Sequence, residues 1–266
     1  MKNVDRLQLR MSSPKEIANF ICKTSLAKKG LSINLINSNS FTNVRRYRNY
    51  RNALLGNCIN YVDGKPLSLY LALKNRQMRI NSRGMEILTQ TLIEQEGTKH
   101  KNIFVYFERS DDYNLLKHVQ QYIQEDNVVL FPLSDRLDLI TISQLLIQNI
   151  RTSSPHIVWI MLGSPKQEIV SSLISNSISS PVIGLGGVID FVTGKVPEAP
   201  KFLQKIYLEW LFRLIREPFR LFKRYTFGNF DFLRAIYLDY IYYNHSLKKS
   251  QQISQFETID FYLSSK

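Results

Sequence analysis

Short apolar runs alternate along the chain with longer stretches whose apolar positions recur every three or four residues. Leu31–Ile36 reads LSINLI, residues 59–62 INYV and Asn102–Phe107 NIFVYF. Further on, residues 128–131 read VVLF, 157–162 IVWIML and 181–185 PVIGL. Each run has the length of a strand and is apolar on both faces, the pattern of strands covered on two sides. Helical spacing occupies residues 41–55, 66–74, 113–124, 137–150 and 166–175. Strands alternating with helices predict an α/β domain: a mainly parallel sheet flanked by helices, in a Rossmann-like arrangement. Ligands of such sheets bind beyond the carboxyl ends of the strands, so polar residues just after strands carry the functional information.

After about residue 195 the pattern changes. Residues 201–243 are rich in aromatic and basic side chains and read as interrupted helix, and the chain from about Ser246 is polar. The expected organisation is an α/β domain over residues 1–195, a helical appendage over 196–245 and a polar tail over 246–266.

Charge narrows the choice of partner. Thirty-five Lys and Arg against 22 Asp and Glu leave a formal charge of +13, which calls for an anionic partner such as a phosphorylated substrate, lipid head groups or nucleic acid. Cys22 and Cys58 form no CxxC pair; free thiols in a reducing compartment are the favoured reading, and a disulfide between them stays open. The four histidines show no metal-ligand spacing. The N-terminus MKNVDRLQLR lacks the apolar segment of a signal peptide, and no run approaches the ~20 apolar residues of a membrane span. A cytosolic protein is expected, with contact to a membrane surface left open.

Four segments carry candidate chemistry. Gly163-Ser164-Pro165-Lys166-Gln167-Glu168 follows the IVWIML run, where a helix can start and offer N–H groups to an anion. There Lys166 adds charge, and Gln167 can both donate and accept; an ordinary strand–turn–helix link is the plainer alternative. Gly184-Leu185-Gly186-Gly187, followed by Asp190 and Phe191, permits close backbone approach to a ligand, although Asp190 could equally serve a turn or a helix cap. Asp63-Gly64 marks either a plain turn or a general base at a strand end. Were residues 208–225 one helix, Arg213, Arg216, Arg220 and Arg224 would share a face about 80° wide, opposite Leu211, Ile215, Phe219 and Phe222. Pro218 leaves that register open. The cluster Arg45, Arg46, Arg48 and Arg51 reads as a solvated helix face, and no motif supports nucleic-acid binding.

Taken together these segments resemble the WecG/TagA/CpsF glycosyltransferases along roughly residues 31–225. The series consists of G-x-P-K-Q-E at 163–168, G-x-G-G-x-x-D-F at 184–191, Ala199-Pro200, Leu208-Glu209-Trp210, Arg213-Leu214, Glu217-Pro218, Arg220-Leu221 and Arg224-Tyr225. Asn37 stands at the family's T-x-N strand end and Asp63-Gly64 at its D-G. Leu35, Glu198 and Tyr207 depart from the family's threonine, arginine and glycine.

The resemblance implies an inverting transfer of an N-acetylmannosamine-type sugar or hexose from a UDP-sugar to a polyprenyl-diphosphate-linked acceptor, in the synthesis of cell-surface polysaccharide, capsule or teichoic acid. It implies no cofactor and no metal. Asp63 would be the catalytic base. Asn37, Gly163, Lys166, Gln167, Glu168, Gly186, Gly187 and Asp190 would bind the UDP-sugar. Arg213, Arg216, Arg220 and Arg224 would meet the acceptor diphosphate at the inner face of the plasma membrane, where the protein would sit peripherally. A homo-oligomer is compatible with this picture. The alternative is a weak or inactive paralogue that binds UDP-sugar or membrane without catalysis.

Overall fold

The computed structural model describes residues 7–108, 112–200, 202–203, 208–216, 218–219 and 228–241. Among the described residues seven strands form one sheet: β1 (Leu9–Arg10), β2 (Leu31–Ile36), β3 (Cys58–Val62), β4 (Asn102–Phe107), β5 (Val128–Leu133), β6 (Ile157–Ile160) and β7 (Pro181–Gly184). Their order is β1-β3-β2-β7-β6-β4-β5, and every pairing is parallel. The expected α/β fold is therefore present.

Alternation along single strands explains why both faces are dry. Ile157, Trp159 and Met161 enter one core cluster, while Val158, Ile160 and Leu162 enter the other. Successive side chains point to opposite sides of the sheet, so an unbroken apolar run feeds two cores at once.

Among the described residues up to 200, nine α-helices connect or cover the strands: α1 (Pro14–Leu26), α2 (Ser38–Arg46), α3 (Arg48–Leu55), α4 (Lys65–Asn75), α5 (Gly84–Glu94), α6 (Asp112–Val119), α7 (Leu139–Ser153), α8 (Lys166–Ser175) and α9 (Val188–Val192). The pattern reading did not identify β1, α1 or α5. A local signal for α1 exists: Ser13 and Glu16 form a reciprocal capping box, with Glu16 accepting from the Ser13 N–H at 2.8 Å. The single helix expected over residues 41–55 is two, because Tyr47 adopts extended backbone (φ −115°, ψ 113°) between α2 and α3. That break lets Phe41 and Val44 of α2 and Tyr50 and Leu54 of α3 enter one shared cluster. Both cysteines are free thiols, and burial pushes Cys22 up to about 11.

In the C-terminal part, α10 (Glu209–Arg216) and a helical stretch over residues 228–241, α11, are described. Phe232 and Ala235 of α11 join the cluster of Ile36, Phe41, Tyr50 and Leu67, so α11 is docked on the α/β core. Polar contacts fix its register. Asp239 accepts from Lys74 at 2.5 Å and from the Tyr70 hydroxyl, and Arg46 pairs with Asp231 at 2.5 Å. The polar tail expected over 246–266 lies outside the described residues.

Candidate active site

The chain leaves β2 for β3 on one side of the sheet and β4 for β5 on the other, with β7 and β6 between them. Parallel sheets open a crevice at such a reversal. A cleft of about 1740 Å³ lies over the carboxyl ends of β2, β3, β6 and β7. Five helices present their first residues to it: Ser38 to Ser40 of α2, Lys65 and Pro66 of α4, Gly84 to Glu86 of α5, Gln167 and Glu168 of α8, and Val188 to Asp190 of α9.

Capping separates these five ends. Asn37 closes α2 by accepting from the Asn39 and Ser40 N–H groups at 3.1 and 3.0 Å and from the Ser40 hydroxyl at 3.2 Å. Its carboxamide oxygen is thereby committed to the cap, leaving its NH₂ as the group to offer a ligand. The caps of α4, α5, α8 and α9 are Gly64, Arg83, Pro165 and Gly187, and none makes a side-chain cap hydrogen bond. The first N–H groups of a helix have no intrahelical acceptor, and the aligned peptide dipoles make that end positive. Four such ends around one cleft, with Lys65, Arg79, Arg83 and Lys195 also lining it, suit a polyanion.

The glycine loop and the start of α8 are fitted to each other. Gln167 and Glu168 are buried although both line the cleft. A Cβ at Gly186 would lie 3.2 Å from Gln167 Oε1, and Gly186 has φ +58°, so both space and backbone call for glycine. At Gly187 an added Cβ meets nothing within 4 Å, which leaves that backbone open to a ligand. Gln167 Nε2 donates to Glu168 Oε1 at 3.2 Å, while Gln167 Oε1 and Glu168 Oε2 have no hydrogen-bond partner. Burial raises the Glu168 carboxyl to about 7, against smaller opposing hydrogen bonds from its own backbone, Gln167 and Ser164. Burial also lifts Tyr50, whose hydroxyl accepts from Ser164 at 3.5 Å, with the Glu168 charge adding to the rise.

Of the residues singled out in the sequence, Asn37, Asp63, Gly163, Gln167, Glu168, Gly186, Gly187 and Asp190 all line this cleft. Asp63 follows β3, and its N–H donates to the Ile36 carbonyl at 2.8 Å, tying the ends of β2 and β3 together. Lys166 does not line the cleft. It is exposed, and its ammonium lies 4.7 Å from the centre of the Phe107 ring, itself a lining residue. Arg216 is exposed, with its guanidinium 5.5 Å from the Phe212 ring centre. Arg213 belongs to α10, but its side chain, Arg220 and Arg224 lie outside the described residues. Gly228 and Asn229, at the start of the described part of α11, line the cleft, so the C-terminal part of the chain reaches the site.

Sequence reasoning missed Lys65, Asn81, Arg79, Arg83 and Lys195. A signal existed: between Asp63 and Glu86 there are five Lys or Arg and no Asp or Glu. Among the described residues, no three His, Cys, Asp or Glu side chains are grouped so as to hold a metal ion. No helix among them is long and apolar enough to cross a membrane.

The model of the "Glycosyl transferase WecG/TagA/CpsF family" matches residues 3–245. The chain is also similar to the N-acetylglucosaminyldiphosphoundecaprenol N-acetyl-beta-D-mannosaminyltransferase of Bacillus subtilis (strain 168), with 27% identity over 196 residues, covering 73% of this chain and 74% of the relative. With a family match spanning nearly its whole length, the chain belongs to the WecG/TagA/CpsF family of glycosyltransferases.

Proposed function

We propose that the protein moves a sugar, of the N-acetylmannosamine or hexose type, from a UDP-sugar to a polyprenyl-diphosphate-linked acceptor, with inversion at the anomeric carbon. The observation that carries this reading is the convergence of four uncapped helix N-termini and the Asp63 carboxylate on one cleft. The name of the Bacillus subtilis relative supports an N-acetylglucosamine-bearing undecaprenyl diphosphate as the acceptor class.

In the proposed reaction the acceptor hydroxyl oxygen attacks the anomeric carbon from the face opposite UDP. The bond from that carbon to the β-phosphate oxygen breaks, and its electron pair leaves with UDP. The hydroxyl proton passes to Asp63. Charge that develops on the leaving diphosphate falls where helix N–H groups and the cleft cations can meet it, the role a metal plays elsewhere. Gly187 admits the nucleotide to its backbone, and Gln167 offers its carboxamide. Arginines of the C-terminal part, Arg213, Arg216, Arg220 and Arg224, take the acceptor diphosphate, for which planar guanidinium groups are well shaped. Peripheral attachment to the inner face of the plasma membrane fits the exposed Ile215, Phe219, Phe230, Leu233, Tyr237 and Tyr240 of this same part.

The test is transfer itself. The full chain is incubated with UDP-N-acetylmannosamine and with UDP-hexoses, using a lipid-diphosphate-linked N-acetylglucosamine acceptor, and the product anomer is read by NMR. A β-linked product from an α-linked donor, at a rate unchanged by chelator, is expected. Retention of configuration, or activity that vanishes with chelator, refutes the mechanism. Absence of transfer from every UDP-sugar refutes the activity.

A further inference from the structure

The lip of the cleft formed by α4 has a surface the reaction does not use. Leu67, Ser68, Leu71 and Ala72 are its buried face. Leu69 and Leu73, one turn apart on another face, are 46% and 72% exposed, and Met78 in the following loop is 87% exposed. Leu69 also lines the cleft, so this apolar strip begins at the mouth of the site and runs outward along the helix. It lies in the segment between Asp63 and Glu86, which holds Lys65, Lys74, Arg76, Arg79 and Arg83 and no acidic residue. Asp239 pairs with Lys74 and Glu86 with Arg83, and Arg76 is exposed at the C-terminal end of the helix.

We infer that the α4 lip, through Leu73 and Met78, is a docking face for an anionic lipid surface and seats the cleft mouth directly on the bilayer. The inference rests on the lipid-linked acceptor proposed above, whose diphosphate must enter the cleft while its isoprenoid stays among lipids. Two features favour this occupant over a second copy of the chain. Exposed Leu73 and Met78, with the exposed Arg76 between them in the chain, match the interfacial region of an anionic membrane, where apolar groups sink below the head groups. A two-fold symmetric dimer through the same face would set the patch that holds the exposed Arg76 against its own copy, and like charges across an interface oppose association. Because α11 is locked to α4 through Asp239, Tyr70 and Lys74, the exposed Phe230, Leu233 and Tyr237 ride on the same rigid unit as the strip.

The experiment compares the full-length chain with L73E/M78E and with the control L26E, which places the same charge on an exposed leucine of α1. Sedimentation with vesicles of equal phosphatidylglycerol and phosphatidylcholine, and with phosphatidylcholine alone, measures binding. Transfer to a water-soluble acceptor with a truncated lipid, melting temperature and sedimentation-velocity mass are measured in parallel. The expected result is wild-type binding to anionic vesicles only, a loss of about tenfold in partition for the double variant, and none for L26E. Melting temperature and short-acceptor transfer should be equal in all three proteins. Wild-type binding by the double variant overturns the inference, as does failure of the wild-type chain to bind. A change of mass in the double variant with vesicle binding unchanged assigns the face to self-association and overturns it too. Absence of sugar transfer in the wild type would overturn the transferase reading alone, since the vesicle arm reads independently of it.

Discussion

The carboxamide of Gln167 lies against the backbone of Gly184, so close that a Cβ added there would meet Nε2 at 3.1 Å. Gly184 ends β7 and pairs with Asn34 of β2 and Ile160 of β6, so its backbone cannot retreat. Gln167 is held from the other side by its hydrogen bond to Glu168. A strand-end glycine therefore sets where the first turn of α8 presents its polar side chain.

From that contact, Gly184→Ala should cost about 1–3 kcal/mol by overpacking, measured by urea unfolding. The displaced Gln167 should also lower UDP affinity by calorimetry. Gly187→Val, where an added Cβ meets no protein atom, should leave stability nearly unchanged while weakening UDP binding. Equal UDP affinity in both variants would place the nucleotide elsewhere.

Asp63→Asn tests the proposed base. The side chain keeps its size, and the backbone bond from Asp63 N–H to Ile36 is untouched. Folding and UDP binding should persist while turnover falls about 10²–10⁴-fold. Undiminished transfer would remove Asp63 from the mechanism.

Glu168 imposes a pH dependence whose sign is fixed by burial. Its carboxyl is raised from 4.5 to about 7 in the folded chain, so the folded state binds the more protons across that interval. Its contribution is fully present below pH 4.5 and is lost as pH rises through about 7, a difference of about 3 kcal/mol. Glu168→Gln, which keeps an acceptor for Gln167 Nε2, should abolish this part of the pH profile of unfolding. Parallel profiles for wild type and variant between pH 4.5 and 7.5 would contradict the assignment.

Arginines of the C-terminal part should separate charge from shape. Changing Arg213, Arg220 and Arg224 together to Lys should leave binding to anionic vesicles nearly intact and reduce transfer to a lipid-diphosphate acceptor, since Lys does not grip a diphosphate bidentately. Changing all three to Glu should abolish both. Equal transfer by the Lys variant would show that positive charge alone suffices.

Much of this protein was legible from sequence, for identifiable reasons. Apolar runs such as NIFVYF and IVWIML report burial on two faces, which specifies a parallel sheet whatever the distant partners are. Motif residues at strand ends fall into the cleft because crossover topology gathers those ends. Local patterns also misled where tertiary packing overrides them. Nothing in the residues around Tyr47 announces a break, and the break exists because α2 and α3 must both reach one core cluster.

Other properties belong to the tertiary structure alone. Glu168 has the composition of a solvated helix start, yet packing of α8 against α3 and β2 leaves it buried, and burial raises its carboxyl to about 7. Lys166, two residues earlier, is exposed, with its ammonium over the Phe107 ring. Arg79 and Arg83 join the site because the connection after α4 returns to the end of β3, where the Ser82 hydroxyl donates to the Val62 carbonyl and the Gly64 N–H donates to the Ser82 carbonyl. Sequence determines which side chains are available and the period with which they face a core. Burial, desolvation and the meeting of residues more than a hundred positions apart, as with Tyr70 and Asp239, arise only when the sheet brings distant segments together.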